Sequence, residues 1–211
     1  DDPAFEGLGA GPARALVAEE DEFHTLEYFD EFDLAVLSVE SISLPSETVI
    51  EHVANKTGVN PGGVMLPTYA TGSVVGSVTA AARAAELALF RLFELGYDVR
   101  NVHSAFGSAP IAPISHNESV AMGRTNDALA YGGTVHLTVT ADDPVLEELP
   151  STARDKYGTP FEEIFAEADW DFYDVPESVF APAQVTVDVI DGPTHVLGET
   201  TEDLVAESFG Y

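Results

Sequence analysis

The segment from Ser73 to Leu95, SVVGSVTAAARAAELALFRLFEL, constrains this chain more than any other. Its spacing predicts one long helix closed by Gly96 in the C-cap role. Its middle is almost entirely apolar or small, which calls for a helix buried on most sides. Such a helix needs partners to cover it, and candidate strands are present on either side. Asp33 to Val39 and Val64 to Leu66 are short apolar runs, and Val99 to Ser104 is a third. Thr134 to Thr140 alternates β-branched residues and is the clearest strand in the sequence. Ala183 to Ile190 and His195 to Leu197 predict a hairpin around Asp191-Gly192-Pro193. Further helices are predicted over Glu47 to Lys56, with Ser46 as N-cap and Gly58 beyond, over Glu118 to Tyr131, and over Pro160 to Glu167 with Pro at N1. Gly107-Ser108-Ala109-Pro110-Ile111-Ala112-Pro113 reads as a rigid small-residue loop. Helices and strands alternating without an internal repeat predict a mixed, layered α/β fold.

The charge balance narrows the partners. Asp and Glu number 37 against 8 Lys plus Arg, a formal net charge of −29, yet the hydrophobic fraction of 45% is that of a globular chain. Unscreened like charges act over roughly 30 Å at 0.01 M ionic strength but only about 3 Å at 1 M. The acids are scattered along the chain, so the pattern reads as adaptation to a salt-rich cytosol, where hydrated carboxylates keep a protein soluble. An acidic protein that binds cations or basic partners is the alternative. Nucleic acid is not an expected partner, because little positive charge is available to replace phosphate counterions. No stretch is long and apolar enough to span a membrane, and the acidic start, Asp1-Asp2-Pro3, lacks the character of a signal peptide. The expectation is a cytoplasmic protein, with the opening residues reading as the interior of a longer one.

Cysteine is absent, which removes thiolate metal sites and thiol nucleophiles. The histidines His24, His52, His103, His116, His136 and His195 show no zinc-ligand spacing, so no metal is expected. Gly7-Leu8-Gly9-Ala10-Gly11-Pro12 departs from the dinucleotide fingerprint, with Pro12 where the third Gly belongs. Catalysis would therefore use carboxylate and guanidinium groups. On the long helix, Gly76, Thr79, Arg83 and Glu86 share one face at spacings of three and four. Spacing alone favours reading Arg83 and Glu86 as an ordinary i to i+3 ion pair at a subunit or domain contact. In a chain this poor in basic residues, though, Arg14, Arg83, Arg91, Arg100, Arg124 and Arg154 are each candidates for specific partners. Arg14 follows a Gly-rich turn and Arg124 precedes Thr125-Asn126-Asp127, so each sits among groups able to hold a polar or anionic ligand or to bridge to a carboxylate.

Several strings, in order, resemble the methenyltetrahydromethanopterin cyclohydrolases of archaeal and methylotroph one-carbon metabolism. They are Gly9-Ala10-Gly11-Pro12-Ala13-Arg14-Ala15-Leu16, Gly76-Ser77-Val78 running on to Arg83-Ala84-Ala85-Glu86, and Phe106-Gly107-Ser108-Ala109-Pro110-Ile111-Ala112-Pro113. Met122-Gly123-Arg124-Thr125-Asn126-Asp127-Ala128, Tyr131-Gly132-Gly133, Tyr157-Gly158-Thr159-Pro160-Phe161, Asp171-Phe172-Tyr173 and Phe180-Ala181-Pro182-Ala183 continue it. Ala10 stands where the family has Ser, and Tyr69-Ala70-Thr71-Gly72-Ser73 is looser than the family's Pro-Thr-Ala-Ser string.

The resemblance implies a homotrimer of two-domain α/β subunits, with a reduced pterin bound between the domains and no metal or prosthetic group. Residues 1–211 would then be a partial cyclohydrolase spanning parts of two α/β domains, with the N-terminal part absent and the internal boundary open. It implies Glu86 and Arg83 as the catalytic pair, and Arg14, Ser73, Phe106, Asn126 and Asp127 as substrate-binding residues. The implied reaction is hydrolysis of a methenyl bridge to an N5-formyl compound, on methanopterin or a folate analogue. A non-catalytic pterin-binding scaffold and an amidohydrolase acting on other cyclic amidines remain as alternatives.

Overall fold

A computed structural model describes residues 5–171 and 174–211. Phe172 and Tyr173, part of one family-like string, lie outside the described residues, as do residues 1–4. The chain forms two compact units that divide between Gly76 and Ser77.

The first unit holds β1 (Leu8–Ala10), α1 (Ala13–Val17), α2 (Asp21–Leu26), β2 (Ala35–Val36), β3 (Ser38–Glu40), α3 (Glu47–Thr57), β4 (Val64–Met65) and β5 (Thr68–Tyr69). The predicted strand over Asp33 to Val39 is two short strands interrupted at Leu37. The N–H groups of Leu37, Val39 and Ser41 nevertheless donate in turn to the carbonyls of Met65, Pro67 and Tyr69, at 2.8 to 3.0 Å. This parallel ladder takes in both predicted apolar runs, and β1 adds to β3 antiparallel. Between the strands runs α3, where Ser46 Oγ accepts from Val49 N and Gly58 ends the helix at φ 72°, a left-handed conformation that Gly adopts without strain. Ala13, Ala35 and Val59 form a small core, backed by Leu16, Leu37 and Val64.

In the second unit, α5 (Ala84–Glu94), α6 (Glu118–Gly132), α7 (Phe161–Glu167) and α8 (Glu202–Phe209) accompany a sheet of β6 (Val102–Ser108), β7 (Thr134–Val139), β8 (Gln184–Val189) and β9 (Thr194–Gly198). Strand order is β6-β7-β8-β9, with β7 and β8 parallel and both outer pairs antiparallel. Alternation decides the faces. Val135, Leu137 and Val139 of β7, with Val185 and Val187 of β8, are buried and pack with Ala84, Leu87, Ala88 and Leu92 of α5 and Leu129 of α6. Thr134, His136 and Thr138 point the other way. A satellite core gathers Phe161, Ile164, Phe165, Val175 and Val179.

Several expectations are corrected. The long helix is two, α4 (Val74–Ala82) and α5, broken at Arg83 with φ −83° and ψ 1°. The halves meet different surroundings: Val74, Val75 and Val78 are exposed, whereas α5 buries Ala84, Leu87, Ala88 and Leu92. Burial on most sides therefore holds for α5 and not for the start of α4. The predicted strand over Val99 to Ser104 begins as a 3-10 turn (Val99–Asn101), then runs on as β6 through Gly107 and Ser108, which the sequence assigns to a loop. Pro160 is the N-cap of α7 and not its first residue. Helices α1, α2 and α8 and strand β1 have no counterpart in the sequence reading.

Asp127 ties three helices together. Its Oδ1 accepts from Phe161 N at 2.9 Å, at the start of α7, and its Oδ2 accepts from Ser208 Oγ at 2.7 Å, near the end of α8. Burial raises its pKa above the ordinary 3.8, and these two hydrogen bonds only partly offset that. Nearby, Tyr131 Oη donates to Thr159 O, and Arg154, also buried, donates to Val179 O and to Tyr131 Oη. Asp127→Ala would leave the buried Phe161 N and the half-buried Ser208 Oγ without their acceptor and destabilise the unit by about 1–3 kcal/mol. Asp127→Asn keeps an acceptor for Phe161 N and supplies a donor to Ser208 Oγ. Because the folded pKa is raised, the wild-type stabilisation is fully present below 3.8 and is lost as pH rises through the folded value. Urea titrations across that window should show Asp127→Asn gaining on wild type as pH rises.

Candidate active site

Arg83 is the N-cap of α5, which puts Glu86 at its third position. The break thus turns a mid-helix carboxylate into one in a first helical turn, where the helix dipole favours negative charge. The two side chains form a bidentate fork: Arg83 Nε donates to Glu86 Oε2 at 3.0 Å, and Nη2 to Oε1 at 2.9 Å. Both are about half exposed, 43% and 49%. A pair that open adds little to stability, about 0–1 kcal/mol. Its planar geometry instead holds the carboxylate in one orientation while leaving lone pairs of both oxygens open to a ligand or a water.

Phe106 sits on β6, and its side chain lies on the sheet face away from α5. It is 65% exposed, and its ring centroid lies 5.1 Å from that of His136 on β7. His136 Nε2 is 2.6 Å from Asp188 Oδ2 on β8, and Thr194 Oγ1 on β9 donates to Asp188 Oδ1 at 2.5 Å. One residue from each strand thus joins a line across the open face. The Thr194 hydroxyl first, and His136 second, hold Asp188 below the usual carboxylate range. The sequence reading did not single out His136 and Asp188 as a pair. The available signal is that each is the one ionisable residue among the otherwise uncharged outward positions of an alternating strand.

The remaining predicted residues have structural partners. Arg14 Nε donates to both carboxylate oxygens of Glu20, at 2.9 and 3.1 Å. Ser73 Oγ donates to Ala70 O at 2.7 Å and accepts from Gly76 N at 3.0 Å, closing the turn that starts α4. Beside it, the buried Thr71 hydroxyl donates to Glu40 at the end of β3, a contact the sequence does not reveal. Asn126, on α6, donates to Met122 O at 2.9 Å within its own helix. Asp127 has both oxygens engaged, as described above. Arg124 Nε donates to Ser208 O at 3.2 Å in the last turn of α8, a favourable place for a cation.

Arg14 and Ser73 therefore belong to the first unit, and Arg83, Glu86, Phe106, Asn126 and Asp127 to the second. Within the second, the fold brings Arg83 and Glu86 into direct contact, sets Phe106 on the opposite face of β6, and places Asn126 and Asp127 on α6. A shallow pocket of about 270 Å³ lies elsewhere, lined in part by Asp142, Asp143, Glu147 and His195. Among the described residues, no group of three or more His, Asp or Glu is arranged to hold a metal ion. No helix among them is long and apolar enough to cross a membrane.

A solvent-open guanidinium–carboxylate fork on an α/β scaffold is suited to proton transfer and the orientation of water, which is hydrolase chemistry. Residues 1–209 match the family described as Cyclohydrolase (MCH), and the chain belongs to that family. It is 53% identical over 206 residues to the methenyltetrahydromethanopterin cyclohydrolase of Halobacterium salinarum, an alignment covering 98% of this chain and 66% of that protein. The enzymes of the same name from Methanocella arvoryzae and Methanothermobacter marburgensis are 42% and 39% identical, again over 98% of this chain and 66% and 67% of theirs. The chain thus spans about two thirds of the length of these relatives.

The line across the sheet makes a measurable claim. In carbon-detected titrations of the side-chain carboxyls, His136→Ala should move the Asp188 pKa up toward 3.8 without reaching it, because the Thr194 hydroxyl still donates. Thr194→Val should move it further, since that hydroxyl is the larger cause.

Proposed function

We propose that this chain carries the catalytic pair of a methenyltetrahydromethanopterin cyclohydrolase, with Glu86 as proton acceptor and donor and Arg83 as the group that orients it. The observation that carries the reading is the half-exposed fork at the start of α5, in a chain whose relatives bear that enzyme's name. The substrate would be a reduced pterin whose methenyl carbon bridges N5 and N10 as a cationic amidinium. Water adds to that carbon and loses one proton to Glu86, giving a neutral carbinolamine. The C–N10 bond then breaks as N10 takes the proton back from Glu86. The carbinol hydroxyl gives its proton to solvent and becomes the formyl oxygen on N5. One water is consumed and one proton released, with no electron transfer, so the chemistry itself calls for no redox cofactor. Arg83 holds the carboxylate plane through two hydrogen bonds, so that proton transfer starts from one fixed geometry.

Arg14, Ser73, Phe106 and Asn126 are assigned to the substrate, Phe106 offering an exposed ring face to a flat heterocycle. Asp127 is assigned a part in the same region through its hold on α6, directly beside Asn126. We further infer a two-domain subunit acting as a homotrimer in the cytoplasm, with the reduced pterin as substrate and one-carbon carrier. The net charge of −29 and the Halobacterium relative support a salt-rich setting.

The test is the loss of methenyl-pterin absorbance by the full-length protein in molar KCl. Glu86→Gln should slow turnover by about 10²–10⁴-fold, the usual contribution of a general acid–base, while leaving circular dichroism unchanged. Turnover unaffected by that substitution would overturn the assignment. Tight pterin binding by the wild-type protein without turnover would favour a scaffold role instead.

A further inference from the structure

Gly107 is in β6 on the side facing α5, yet it has no conformational need to be glycine. Its φ is not among the positive values of the chain, and glycine inside a strand weakens it. Space is the remaining reason. A Cβ built on Gly107 would lie 3.0 Å from Ala85 N, 3.1 Å from Ala84 Cβ and 3.1 Å from Thr134 O. The backbone of β6 therefore touches the first turn of α5, the turn that carries Glu86.

The three neighbours differ in how easily they can give way. Thr134 O belongs to β7, whose register with β6 is continuous from Ser104 to Ser108 and whose other edge is paired along its whole length with β8. It cannot retreat without breaking that ladder. Ala84 and Ala85 open a helix whose continuity with α4 is already interrupted at Arg83. Any added bulk would thus be relieved by lifting the first turn of α5 off the strand, and the displacement would appear at Arg83 and Glu86.

We infer that Gly107 is a positioning residue for the Arg83–Glu86 pair, keeping α5 seated on β6 at the depth where the fork forms. The inference rests on the reading of Glu86 as the catalytic carboxylate.

In the full-length protein, Gly107→Ala should lower kcat by about 10–100-fold, the cost of a misplacement of up to 1 Å, with little change in KM. The ¹⁵N resonance of Arg83 Nε, which donates to Glu86, should shift, while that of Arg100 Nε, which donates to Asp98, should stay in place. Adding Ala84→Gly removes one of the three close contacts and should restore part of kcat. A folded Gly107→Ala protein with both kcat and the Arg83 resonance unchanged would overturn the inference. If Gly107→Ala does not fold, recovery of folding by Ala84→Gly supports the contact with α5, and failure to recover refutes it. Turnover surviving Glu86→Gln would refute the catalytic reading, whereas a moved Arg83 resonance in Gly107→Ala would still establish the positioning contact.

Discussion

The seating of α5 on the helix-side face of the β6-β7-β8-β9 sheet is the contact on which the second unit depends. Ala84, Leu87, Ala88 and Leu92 meet Val135, Leu137, Val139, Val185 and Val187, all at 7% exposure or less. Each fully buried Val or Leu in such a layer contributes about 1.5–3 kcal/mol, which outweighs anything a half-exposed ion pair supplies. The small residues at the start of α5 and Gly107 beneath them bring helix and strand backbones unusually close. The same packing fixes where the helix must begin, and so which turn carries Glu86.

The scaffold leaves two sets of polar groups open. Arg83 and Glu86 project from the first turn of a helix whose other side is locked in the core, so their orientation is inherited from a rigid element while their ends stay in solvent. The opposite face of the sheet is also open and carries Phe106, His136, Asp188 and Thr194 in a line. Phe106 and His136 are register partners, as are Asp188 and Thr194, and His136 reaches diagonally past its own β8 partner Thr186 to Asp188. The buried Asp127, with Tyr131 and Arg154, works differently, spending polar groups to tie loops and helix ends to α6.

The acidic surface fits this division. With 8 Lys plus Arg to balance 37 acids, basic side chains are scarce, and Arg14, Arg83, Arg100, Arg124 and Arg154 each hold a named partner. Arg124 and Arg154 donate to backbone carbonyls, uses that a count of carboxylates along the chain does not suggest.

By itself the sequence determined whatever depends on local pattern. The alternation of β7, the β8–β9 hairpin, the Ser46 and Gly58 ends of α3 and most of α6 were legible because period, caps and turn residues are encoded within a few positions. The family was legible from ordered strings. Shorter helices such as α1 and α2 were not, being too brief for periodicity to stand out, while the signals of α8 are its acidic first turn and its closing Gly210. Only the tertiary structure decided that the long apolar segment breaks at Arg83, that Gly107 belongs to a strand, and that His136 meets both Phe106 and Asp188. Each of these rests on contacts between residues far apart in sequence. The sheet must exist before α5 has a surface to sit on, and the strand register must be set before the two residues flanking His136 can reach it.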